Sequence, residues 1–156
     1  MITRRAQWLT IAVGAAWLAG CGDGRAPTTP TPVSFLEGTW NGTVIIRPDG
    51  QPETSGSTTW SFDVVPQTNR QTFDATLQIT HEWLSITTMA IAAVAPSATP
   101  PTQISTQGDY TSPRGCRGTL GSFGTAEATR IEASFHGVDC NGITFDGQVV
   151  LTKAPR

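Results

Sequence analysis

Few side chains in this 156-residue chain can do covalent or acid–base chemistry: two histidines, three cysteines, and twelve aspartates and glutamates. His81 opens the run His81-Glu82-Trp83, but Ser85 stands where an H-E-x-x-H zinc motif needs its second histidine. His136 falls on the polar face of an alternating segment, near Asp139. Both histidines read as solvated or hydrogen-bonded surface groups. Asp63 and Asp74 flank the segment 66–70 and are expected to meet across a hairpin. A carboxylate pair can divide acid and base roles, yet two solvated aspartates on an outer face are the commoner case. Cys116 and Cys140 lack C-x-x-C spacing and a third and fourth ligand nearby, which argues against a redox pair or a metal site. No G-x-S-x-G elbow or glycine-rich phosphate loop occurs. The expectation is therefore a protein that is not an enzyme, with no catalytic residue, no metal and no cofactor.

The elements that must hold these residues are strands. Only 14% of the residues are charged, with 16 Gly and 11 Pro, a composition suited to a β-rich domain with many turns. Apolar and polar residues alternate repeatedly. Residues 39–47 place Trp40, Gly42, Val44 and Ile46 on one face, and 57–65 place Trp60, Phe62 and Val64. Residues 71–80 place Phe73, Ala75, Leu77 and Ile79, 129–137 place Ile131, Ala133 and Phe135, and 142–153 place Ile143, Phe145, Gly147, Val149 and Leu151. One wet face and one dry face describe antiparallel strands over a single core. Turn signals are read at 47–56, 66–70, 121–124 and 139–142, the last with the hairpin pair Asn141-Gly142. Residues 103–112 and 115–121 read as further strands, whereas 81–94 fits one long strand, a bulged strand, or a strand ending in a short helix. Seven or eight strands with short connections predict an all-β, up-and-down antiparallel barrel of about eight strands; a two-sheet β-sandwich is the alternative.

Residues 1–20 read as an export signal: Arg4 and Arg5, then an apolar run too short for a membrane span. The run ends in Leu18-Ala19-Gly20-Cys21, which resembles the lipobox of bacterial lipoproteins. That resemblance implies a diacylglyceryl thioether on Cys21, cleavage before it and acylation of the new N-terminus, so that the membrane is a partner through the lipid anchor. Gly22 rather than an aspartate after the cysteine points to the outer membrane of the bacterial envelope. Residues 21–34 form a Pro- and Thr-rich tether, extended at about 3.1 Å per residue, and residues 35–156 form the barrel domain. With Arg4 and Arg5 removed, eight Lys and Arg face twelve Asp and Glu, and Lys153 is the one lysine. No basic face exists for nucleic acid. With Cys21 lipidated, Cys116 and Cys140 remain, and in an exported chain they are expected to pair as a disulfide.

The segment Phe35-Leu36-Glu37-Gly38-Thr39-Trp40-Asn41-Gly42-Thr43 resembles the first signature of lipocalins and their calycin relatives, with Gly38-Thr39-Trp40 as its Gly-x-Trp. Gly108-Asp109-Tyr110 is similar to a second lipocalin signature. The resemblance implies an eight-stranded barrel open at one end and, often, a hydrophobic ligand. Two functions follow. In the first, Trp60, Phe62, Phe73, Leu77, Phe135 and Phe145 line a cup for a small apolar or amphipathic ligand. In the second, those six fill a solid core, and the barrel is a scaffold whose loops 48–56 and 95–102 contact another envelope protein or inhibit an enzyme. An exposed apolar patch at Ile91, Val94 and Pro96 would favour the second.

Overall fold

Alternating side chains oblige each segment to bury one face, and eight such segments bury theirs together. In the computed structural model, which describes residues 33–64, 71–94 and 101–155, these are β1 (Gly38–Pro48), β2 (Thr54–Asp63), β3 (Thr72–Thr80), β4 (Ile86–Val94), β5 (Thr102–Thr111), β6 (Arg117–Ala126), β7 (Arg130–Val138) and β8 (Thr144–Lys153). Each strand pairs antiparallel with the next, and β1 also pairs with β8, so the sheet closes into an up-and-down barrel. Closure rules out the two-sheet sandwich and leaves no edge strand among the described residues. Residues 1–32, on which the expected export signal, Cys21 and most of the expected tether fall, lie outside the described residues, as do 65–70, 95–100 and 156.

The inner wall is built partly from aromatic rings laid over glycines. In the register Tyr110 faces Gly118, Phe145 faces Gly137, and Phe135 faces Gly147. A Cβ at Gly147 would lie 2.2 Å from Phe135 Cζ, and one at Gly137 2.1 Å from Phe145 Cζ. The missing side chains let the rings lie against the neighbouring strand, where they fill the interior and cover a backbone that would otherwise be bare.

The two ends of the barrel close differently. At the proximal end the chain enters through a 3-10 turn, Val33–Leu36. Its buried Leu36 accepts a hydrogen bond from Trp40 Nε1 at 2.9 Å, and Lys153 Nζ lies 5.3 Å from the Trp40 ring centroid while also donating to the Phe35 carbonyl. The ring is thus clamped between a carbonyl and a cation. The distal end carries the connections β1–β2, β3–β4, β5–β6 and β7–β8. In the last of these, Asn141 and Gly142 both take positive φ, 62° and 75°, as their turn chemistry requires.

Two sequence expectations need correction. Residues 121–124 are not a turn but the middle of β6, which continues to Ala126. Gly124 is there for close approach: a Cβ would lie 2.0 Å from the Glu132 carbonyl oxygen. Residues 81–94 are not one strand: 81–85 form the β3–β4 connection, and β4 begins at Ile86 with no helix at its end.

Candidate functional site

All six residues expected to line a cup point into the barrel and are buried. Trp60 packs on Phe62 with ring centroids 6.2 Å apart, and Phe62 on Phe73 at 5.8 Å, both edge to face. Phe135 packs on Phe145 at 6.0 Å, and Phe145 on Trp83 at 5.2 Å. These separations are those of rings in direct contact. Val44, Leu77, Ala92 and Leu151, from four different strands, each expose 0% of their surface. No space the size of a water molecule is left against these four side chains, which are packed on all sides.

The distal end is sealed by a network that the sequence did not announce. Asp139, with its side chain 1% exposed, accepts from Tyr110 Oη at 3.1 Å and from Arg114 Nη1 at 2.6 Å. The Arg114 guanidinium lies 5.3 Å from the Trp83 ring centroid, and Trp83 covers Phe145. Burial, then the charge and hydrogen bond of Asp139, hold the Tyr110 phenol well above its ordinary pKa, against the opposing pull of Arg114. Cys116 and Cys140 are joined in a disulfide, Cα atoms 5.6 Å apart, which ties the β5–β6 connection to the β7–β8 connection beside Asp139. Their sulfur atoms and the Asp139 carboxylate lie within 4.8 Å of one another. Paired as a disulfide the sulfurs offer no thiolate, and both Asp139 oxygens are engaged. This trio is a structural clasp.

Of the two histidines, His81 differs from expectation and His136 is the hydrogen-bonded surface group expected. His81 is buried, not on the surface: Nδ1 accepts from the Trp83 backbone N–H at 3.0 Å, and Nε2 faces Thr54 Oγ1 at 2.8 Å. The Nδ1 acceptor role assigns the Nε2–H tautomer. His136 is exposed, but its partner is Asp146, directly opposite on β8, with Nδ1 to Oδ1 2.8 Å, and not Asp139, which turns inward. Asp63 and Asp74 do sit opposite each other on β2 and β3, both exposed.

A concave feature lies against the outside of the wall. A groove of about 1200 Å³ runs across β4 to β7, with Met89, Ile91, Gly121, Phe123 and His136 among its lining residues. Gly121 forms its floor: a Cβ added there would find one atom within 4 Å, the Thr106 carbonyl oxygen at 3.7 Å. Met89, Ile91 and Phe123 stand out from the wall, 65%, 62% and 60% exposed. Three such side chains around one floor make a patch rather than scattered exposure. The sequence reading placed the patch at Ile91, Val94 and Pro96; Val94 is buried, and Pro96 lies outside the described residues. Phe123 was missed because 121–124 read as a turn. Met89 was missed because both faces of β4 are apolar, so alternation alone could not say that Ala90 and Ala92 turn in while Met89 and Ile91 turn out.

No family model matches the chain, and no curated protein matches it. Among solved structures the chain is similar to "Structure of EF1p2_mFAP2b bound to DFHBI", with a TM-score of 0.54 and 18% identity, over 79% of this chain and 97% of that one. It is also similar to "Structure of a redesigned beta barrel, b11L5F_LGL", with a TM-score of 0.45 and 21% identity, over 80% and 96%. At 18% identity the first likeness shows a shared β-barrel fold.

Proposed function

We propose that this protein is a lipid-anchored, non-enzymatic binding module of the bacterial envelope, and that it binds through the outer wall of β4 to β7 rather than through its interior. The observation that carries the reading is the inversion of apolar side chains. Ala90 and Ala92 are buried in the core, while Met89, Ile91 and Phe123 face water around the Gly121 floor. Exposing large apolar groups costs about 25 cal/mol per Å² relative to burying them, and a partner that covers them recovers that free energy.

The anchor rests on Leu18-Ala19-Gly20-Cys21, and the outer membrane on Gly22 after the cysteine. The tether joins the barrel at its proximal end, next to Val33–Leu36. Such an attachment leaves the side wall accessible to other envelope components. A second reading, a carrier of a small apolar or amphipathic ligand, draws on the likeness to EF1p2_mFAP2b, which was solved with DFHBI bound. It requires the packed interior to open.

The test is site-specific photocrosslinking in the full chain in cells, with a benzophenone side chain in place of Phe123 or, on the opposite wall, of Ser57. Adducts at 123 and none at 57 are the expected result. Equal labelling at both positions, or none at 123, refutes the docking wall. A small molecule retained by the purified chain in native mass spectrometry, and removed by organic solvent, would establish the carrier instead.

A further inference from the structure

The outer wall carries a charge pattern as well as an apolar patch. One row of outward positions runs through the register as Asp63, Asp74, Ile91, Gln107, Gly121, His136 and Asp146, from β2 to β8. Carboxylates stand at both ends of the row with the apolar groove between them. Asp109 adds a third carboxylate to the groove lining beside Asp74 and Asp146, and among the described residues no Lys or Arg lines it. Arg47 sits beside Asp146 on β1, beyond the groove, and His136 bonds to Asp146. At the other pole two carboxylates face each other directly, Asp63 on β2 and Asp74 on β3. Like charges opposite one another destabilise a sheet, and a bound cation reverses that.

Resting on the docking-wall reading above, we infer that the occupant of the groove is a basic amphipathic peptide segment of another protein, apolar at its centre with Lys or Arg at both ends. Charge selects it. An anionic lipid surface would meet the acidic poles with like charge. A second copy of this chain would set the same acidic poles against each other. Size selects it too. From Asp74 on β3 to Asp146 on β8 is five strand spacings, about 24 Å of arc, which suits about seven extended residues and exceeds a small amphiphile. The barrel is closed, so the segment cannot add as a strand; recognition runs through side chains, with Phe123, Ile91 and Met89 as anchors and the aspartates as a steering rim.

The experiment selects random displayed peptides of about twelve residues on the full chain, expressed with its leader and held in phosphatidylcholine nanodiscs, with empty nanodiscs as the counter-selection. Enriched peptides should combine aromatic or aliphatic residues with Lys or Arg. Phe123→Ser should weaken them by about tenfold or more, and Asp74→Asn by about threefold with a shallower salt dependence. Both positions are exposed, and the melting temperature of each variant verifies its fold. Gly121→Leu, which fills the floor without touching the core, should also abolish binding. Enriched peptides that need Phe123 but carry no basic residue, or that ignore Asp74→Asn and salt, overturn this inference and leave the docking wall standing. Peptides indifferent to Phe123→Ser and Gly121→Leu overturn both. No enrichment, or a dimer abolished by Ile91→Ser, overturns the inference.

Discussion

Tyr110 is the only tyrosine in the chain, so its ionisation can be followed without interference from another phenol. The residue is 4% exposed, and its hydroxyl donates to Asp139, whose carboxylate is itself buried and paired with Arg114. Ionising the phenol in the native protein would place a second anion against that carboxylate with little water to screen it. Its native pKa is therefore raised well above the ordinary tyrosine value of about 10, chiefly by burial and then by Asp139. The linkage has a definite sign. Above pH of about 10 the unfolded chain releases the phenolic proton and the native chain keeps it, so stability falls as pH rises, by up to about 1.4 kcal/mol per pH unit. Between about pH 10 and 12 the wild type should lose about 2.3 kcal/mol more than Tyr110→Phe, the slope being half-maximal at the lower end where the unfolded phenol is half ionised, and this is a sizeable part of a typical folding free energy.

The assay is tyrosinate absorbance near 295 nm, followed with tryptophan fluorescence along one alkaline titration and repeated by urea melts of wild type and Tyr110→Phe. The absorbance should rise only together with unfolding. Asp139→Asn should bring the transition to lower pH without returning it to about 10, because burial remains. A tyrosinate signal that appears near pH 10 while the fluorescence is still native would refute the reasoning. So would parallel losses in the wild type and Tyr110→Phe.

Cys116→Ala opens a loop closed by residues 24 apart and should cost about 3 kcal/mol in urea melts, with the remaining thiol reactive to a blocking reagent. Gly147→Ala would set its Cβ 2.0 Å from the Ile45 carbonyl oxygen and against the Phe135 ring, and should cost about 1–3 kcal/mol; Gly121→Ala, on open ground, should leave the melting temperature within a degree or two. Cys21→Ser should release the chain to the soluble fraction with unchanged thermal unfolding, read by membrane fractionation and circular dichroism; retention of the variant on membranes would count against the lipid anchor.

Local alternation carried a great deal. Trp60-Ser61-Phe62-Asp63 and Phe73-Asp74-Ala75-Thr76-Leu77 state their inner and outer faces outright, because period-2 placement is a property of an extended chain and needs no partner strand. Asn141-Gly142 likewise encodes its turn in its own φ preferences. The pairing of Asp63 with Asp74 was also within reach, since a hairpin fixes its own register.

What the sequence could not decide depends on residues far apart in the chain. Whether β1 meets β8 is a matter of accumulated twist and stagger around the whole sheet, which no single segment expresses. The inward turn of Asp139 follows from Tyr110 on β5 and Arg114 and Cys116 in the β5–β6 connection arriving beside it. Gly121-Ser122-Phe123-Gly124 contains turn-forming residues, yet pairing with β5 and β7 on both sides holds it extended, and tertiary ladders outweigh local propensity. In β4 both faces are apolar, so only closure of the barrel assigned the alanines to the core and left Met89 and Ile91, beside Phe123, as the wall that meets solvent.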